Sequence, residues 1–130
     1  MKHLFAPYEL SLLAKQKGFN EPCFGVYYAK EKELNQYKGF PDSGNEDDFS
    51  FTKNSNLTET WVTAPLYQQL VDWLRENHNW NIEISYRNSF RDYTGILYPI
   101  FPRTDASNRF KYNTYYEALN KALEEAFKLI

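Results

Sequence analysis

The sequence predicts an α+β fold: three helices packed on one face of a small, mostly antiparallel sheet, in the order α-β-(loop or hairpin)-α-β-β-α. Three observations lead there. Three stretches repeat apolar residues at helical spacing, residues 81–87 alternate apolar and polar, and the residues from Asn88 to Asp92 offer a turn between two strand-like runs. A chain of 130 residues falls in the usual one-domain range, so residues 1–130 are expected to form a single domain. The 18% aromatic share supplies large buried areas, enough for a core without disulfides.

The first helix is read in "APYELSLLAKQKGF". Pro7 suits a first turn, Leu10, Leu13 and Ala14 make a stripe, and Lys15 and Lys17 complement the negative end. Gly18 is placed for a left-handed cap, with Phe19 folding back on the last turn. The second is read in "TWVTAPLYQQLVDWLREN", with a loop-like start, Pro65 in the first turn, and an inward face of Leu66, Leu70, Val71 and Leu74. Tyr67 and Trp73 flank that face. The third, "NTYYEALNKALEEAFKLI", has a capping box of Thr114 and Glu117 and a stripe of Leu119, Ala122, Leu123, Ala126, Phe127 and Ile130. Glu117 with Lys121 and Glu124 with Lys128 are spaced for ion pairs one turn apart.

Strands are expected in "CFGVYYA" (23–29), "NIEISYR" (81–87) and "YTGILYPIF" (93–101). In the second, Ile82, Ile84 and Tyr86 face one side and Glu83, Ser85 and Arg87 the other, which implies one covered and one wet face. Pro99 demotes the end of the third strand to an edge or a bulge. Residues 31–60 are polar and Asn-rich, with a short strand in "FSFTK" (49–53), and are expected to form a hairpin or a flexible insertion. The two "AP" helices, each followed by a strand, share too few other residues for a duplication; proline at helix starts explains the likeness.

Charge and composition narrow the function classes. A net charge of −2 and a pI of 5.7 argue against a dedicated duplex-binding protein, which needs a basic excess to neutralise phosphates. Acids concentrate in residues 31–60 and bases in residues 86–112, a pattern read as two solvated surface regions. The single Cys23 excludes an internal disulfide and fits a reducing cytosol; with no signal-like start and no apolar run of membrane length, the expected location is cytoplasmic. His3 and His78 have no metal-ligand spacing, and "DSGNEDD" lacks the ligand order of a calcium loop, so no metal and no cofactor is expected. There is no nucleophile elbow and no phosphate loop, and carboxylates such as Glu83 and Asp92 have no spacing that singles them out. Cys23 reads as a small buried hydrophobe, and His78 as a complement to the carbonyls of the second helix.

One constellation carries chemistry. In "SYRNSFRDY" (85–93), Tyr86, Phe90 and Tyr93 interleave with Arg87 and Arg91 around the expected turn. Aromatic faces with guanidinium groups suit a protein hot spot, and equally suit stacking on single-stranded bases. The plainer reading makes Tyr86 an inward continuation of Ile82 and Ile84 and the arginines solubilising turn residues. Tyr67 and Trp73 are open in the same way, as groove residues or core margin.

The stretches "FAPYELSLLAKQKGFNEPCFGVYY", "APLYQQLVDWLRENHNWNIEI" and "YYEALNKALEEAFKLI" together resemble a family of short uncharacterised proteins of Bacteroides-group bacteria and their phages and mobile elements. The resemblance covers residues 5–28, 64–84 and 115–130. It implies a small cytosolic accessory protein and lends no activity, ligand or catalytic residue. The expectation is therefore a non-catalytic binding protein working through protein contacts or self-association. The alternative is a single-stranded nucleic-acid binder using the Arg/aromatic turn, and a third is an enzyme with an unrecognised carboxylate site.

Overall fold

The computed structural model describes residues 2–36, 52–101 and 108–130. Among them are three α-helices and two three-stranded antiparallel sheets, an α+β chain as the periodicities predict. The strands are divided between two sheets rather than gathered in one. The chain falls into two compact units, Met1–Leu66 and Tyr67–Ile130.

In the first unit, α1 (Tyr8–Gln16) begins after Pro7, whose fixed φ and missing N–H cost nothing at a cap. It ends as the sequence predicts. Gly18 takes φ +97, its N–H donates to Lys15 O, and the Phe19 N–H reaches Ala14 O at 3.0 Å, closing the last turn. A Cβ at Gly18 would be strained by that backbone alone. Strand β1 (Gly25–Tyr28) lies between β2 (Leu34–Gln36) and β3 (Trp61–Ala64), both antiparallel to it. Of residues 31–60, Leu34–Gln36 supply the second strand of a β1–β2 hairpin, while Thr52 in "FSFTK" makes an isolated bridge to Cys23. Residues 37–51 of that segment lie outside the described residues. Phe5, Tyr27 and Ala64 form a buried cluster lined by Tyr8, Leu34 and Leu66.

Strand β3 was not legible: "TWVT" (60–63) reads as a loop, yet Trp61–Ala64 pair with β1 over four residues. Its outer edge is closed by the chain itself. Trp61 N–H donates to Thr58 O, Lys15 Nζ donates to Trp61 O at 2.9 Å, and Thr63 N–H donates to Asn54 Oδ1 at 3.0 Å. Asn54 is buried, and its amide also donates to Phe19 O at 2.9 Å.

In the second unit, α2 (Tyr67–His78) starts two residues after Pro65, not with it in the first turn. Strands β4 (Trp80–Arg87), β5 (Asp92–Pro99) and β6 (Asn108–Tyr112) form a meander in the order β4-β5-β6, followed by α3 (Tyr115–Lys128). The register places Ile82, Ile84 and Tyr86 opposite Leu97, Gly95 and Tyr93, all on one face. Helix α3 covers that face so closely that a Cβ at Gly95 would lie 2.9 Å from Ala118 O. Thr114 Oγ1 accepts from Glu117 N–H, the first half of the expected capping box. Leu123 and Phe127 are fully buried, each contributing roughly 1.5–3 kcal/mol.

The ion pairs of α3 differ from those expected. Lys121 meets Glu125 at 2.9 Å and Glu124 at 3.8 Å, and Lys128 meets Glu125 at 2.9 Å. Glu124 is drawn away from Lys128 by Asn120, whose amide donates to Glu124 Oε1 at 2.9 Å. No helix among the described residues is long and apolar enough to cross a membrane.

Candidate interaction site at the β4–β5 tip

The turn between β4 and β5 is built by four residues, Asn88 to Arg91. Phe90 N–H donates to Arg87 O at 3.2 Å, and Arg91 adopts φ +51 to bring the chain back into β5. Arg87 and Asp92 are therefore opposite each other, the last pair of the ladder. Their side chains form a two-pronged pair: Arg87 Nε donates to Asp92 Oδ1 at 2.7 Å and Nη2 to Oδ2 at 2.5 Å. The same guanidinium lies over the Phe90 ring, 4.3 Å from its centre. This hydrogen bonding holds the Asp92 carboxyl below its ordinary range, with Lys111 adding to the pull, and raises Arg87.

On the other face of the hairpin, Tyr86 and Tyr93 are cross-strand partners with ring centres 5.1 Å apart. From Tyr93 the aromatic contacts continue into α3 and α2. Tyr115 meets Tyr93 edge-on at 6.1 Å, Tyr116 meets Tyr115 at 5.2 Å, and Tyr67 meets Tyr116 at 5.5 Å. Tyr67 ends the chain with its hydroxyl on Asn120 Oδ1 at 3.0 Å. Five tyrosines thus run from solvent to core.

Of the seven residues singled out in the sequence, the structure brings five together at the tip: Tyr86, Arg87, Phe90, Arg91 and Tyr93. Phe90 is 69% exposed and Tyr86 51% exposed, while Arg87 and Tyr93 are half-buried. The other two, Tyr67 and Trp73, are placed differently. Both are buried at 8% exposure, and Trp73 packs on His78 and Phe127, so they join α2 to α3 rather than line a groove. Their flanking position on the helical wheel is still within the arc that α3 covers.

Two features escaped the sequence reading. Asp92 serves as the partner of Arg87, which the expected turn already implied, because residues flanking a four-residue turn face each other. The tandem Tyr115–Tyr116 carried no local signal of the strand it meets.

Elsewhere in the second unit, a depression of about 270 Å³ is lined by Arg75, Asn81, Tyr98 and Ile100. A hydrogen-bonded chain crosses it: Arg75 Nε to Asn81 Oδ1, Asn81 Nδ2 to Tyr98 Oη, and Tyr98 Oη to Glu83 Oε1. Glu83 is thereby engaged by a phenol rather than set beside a second acid. Among the described residues, no three His, Cys, Asp or Glu side chains converge on a metal position. In the first unit Cys23 is fully buried, and burial pushes its thiol up to about 11, as expected of a small core residue rather than a nucleophile. No protein-family model, no curated protein and no solved structure matches the chain.

Proposed function

We propose that the chain is a small non-catalytic accessory protein that works through protein contacts, with the β4–β5 tip as its contact surface. The observation that supports this best is Phe90: a largely exposed aromatic ring held in place by a guanidinium that is itself fixed by Asp92. A preorganised aromatic–arginine pair loses little side-chain freedom on binding, and such residues dominate protein hot spots. A cytoplasmic accessory role of phage or mobile-element type rests on the resemblance of residues 5–28, 64–84 and 115–130 to that family.

The single-stranded nucleic-acid reading draws on the same rings as stacking platforms. It is the weaker one because Asp92 already neutralises Arg87, leaving Arg91 as the arginine of the turn with no ion pair among the described residues. The deciding experiment compares wild type, Phe90→Ala and Asp92→Asn in capture from the native host and in single-stranded oligonucleotide binding across salt. The expected result is a captured protein lost in Phe90→Ala, and no oligonucleotide binding. Salt-sensitive oligonucleotide binding that strengthens in Asp92→Asn would overturn the reading in favour of nucleic acid.

A further inference from the structure

Asparagine is a thermolabile residue because the backbone nitrogen of the next residue attacks its side-chain amide. The attack needs a free side chain, a small following residue, and a following N–H that is neither buried nor hydrogen-bonded. The dipeptide Asn–Ser occurs twice in this chain, at Asn54–Ser55 and at Asn88–Ser89, so the same chemistry meets two different structures.

At Asn54 the attack is blocked. Its side chain is buried and bonded to Thr63 N–H and Phe19 O, and the Ser55 N–H donates to Asn20 Oδ1 at 2.8 Å. At Asn88 the way is open. Asn88 and Ser89 are the central residues of the turn closed by Phe90 N–H on Arg87 O, and both are exposed. Neither the Asn88 side chain nor the Ser89 N–H has a hydrogen-bond partner among the described residues. The other exposed asparagines described lack one requirement each. Asn20, Asn35, Asn77 and Asn79 have bonded side chains. The Leu57 N–H after Asn56 is bonded to Asn54 O, and Asn113 precedes the β-branched Thr114.

We propose that Asn88 is a self-modification site that resets the charge and shape of the β4–β5 tip as the protein ages. The Ser89 backbone nitrogen, having lost its proton to hydroxide, attacks Asn88 Cγ. A new C–N bond forms, the bond to the side-chain nitrogen breaks, and that nitrogen leaves as ammonia with a proton from water. The product is a succinimide ring. Water then opens the ring at either carbonyl, leaving aspartate or isoaspartate, and water is the only co-reactant. Either product sets a carboxylate in the turn between Arg87 and Arg91, where it competes with Asp92 for the Arg87 guanidinium. Isoaspartate also adds a methylene to the backbone inside the turn that Phe90 N–H closes, which loosens the hold of Arg87 on Phe90. The effect on binding rests on the tip being the contact surface; the conversion itself does not.

Warming the full chain in mildly alkaline buffer, with peptide mass spectrometry at intervals, tests this. In the folded protein Asn88 should convert at least roughly tenfold faster than Asn54, because Asn54 reacts only on local opening. In concentrated urea the two sites should convert at similar rates, being the same dipeptide without a fold. Asn88→Gln, whose longer side chain closes a larger ring far more slowly, should abolish conversion at the tip. In the isoaspartyl fraction, separated by ion exchange, the Phe90 amide should exchange with solvent roughly tenfold faster or more. An Asn88 that stays intact in the folded chain, or converts no faster than Asn54, overturns the site. A Phe90 amide whose exchange is unchanged after conversion overturns the change of shape. Aged and fresh chains that capture the same host protein alike, with Phe90 exchange raised, fail the proposed contact surface and leave the site standing.

Discussion

Replacing Asn54 should unfold the first unit more readily than any surface substitution, and the structure sets the size of the effect. The side chain is 7% exposed and makes two hydrogen bonds to backbone groups, accepting from Thr63 N–H at 3.0 Å and donating to Phe19 O at 2.9 Å. In Asn54→Ala both backbone groups lose their bond to this side chain. An unsatisfied buried N–H costs about 1–3 kcal/mol and a lost hydrogen bond about 0.5–1.5 kcal/mol, so the two together come to about 1.5–4.5 kcal/mol. Asn54→Asp separates the two bonds. It keeps the acceptor for Thr63 N–H but points a carboxyl oxygen at the Phe19 carbonyl, a contact that favours the protonated acid and raises its folded pKa. A raised acid pKa makes the variant most stable below the unfolded value near pH 4, with stability falling as pH rises toward the folded value. Urea unfolding followed by far-UV circular dichroism at pH 7 and pH 4 reads both effects. An Asn54→Ala loss under about 1 kcal/mol, or an Asp variant equally stable at both pH values, would refute this account of the residue.

Two further outcomes are expected. Gly95→Ala places a methyl group 2.9 Å from Ala118 O, a backbone atom that cannot swing aside, so α3 must shift off β5. The cost should be about 1–3 kcal/mol in the same urea assay, and a neutral result would mean the helix is not seated as described. Tyr27, buried with its hydroxyl on Ala6 O at 2.7 Å, has its pKa pushed up to about 12 by burial, with Glu9 adding to the rise. Its neutral form is the folded one, so its contribution is complete below pH 10 and is lost as pH rises from 10 toward 12. Ultraviolet titration should show a late-ionising tyrosine component that is lost in Tyr27→Phe. The substitution itself should cost only about 1 kcal/mol, because Ser11 Oγ also donates to Ala6 O.

What could be read from the sequence was what local chemistry decides. The end of α1 is set by Gly18 and Phe19 within five residues of each other, and the start of α3 by Thr114 and Glu117 within four. The β4–β5 hairpin was legible because its alternation and its turn adjoin. Strands β3 and β6 were not. "WVTA" is four residues whose partner, β1, lies more than thirty positions upstream, and nothing local marks it as paired. In β6 the alternation of Arg109 and Lys111 with Phe110 and Tyr112 was present, but it follows a polar stretch and is short. The division of strands between two sheets is likewise a matter of long-range pairing. At the tip, residue types and exposure followed from the turn, whereas the route through Tyr115 and Tyr116 depends on how α3 returns to the sheet.

The backbone of the tip gives a separate reason to regard it as a working surface. Lys32, Asn79 and Arg91 are the non-glycine residues at positive φ among those described. Asparagine tolerates that region, and the Asn79 side chain is fastened to Phe101 O. Lys32 is fastened too, paired with Glu9 at 3.2 Å and lying over the Tyr8 ring. Arg91 is exposed at the hairpin tip, in a position where glycine or asparagine would relieve a strain of about 1 kcal/mol. Next to it, Phe90 stays in water against its own hydrophobicity. Stability alone would favour a small polar residue at each position. The two departures sit side by side, braced by the Arg87–Asp92 pair, and departures from local rules that the fold does not need support the proposal that the tip is a contact surface.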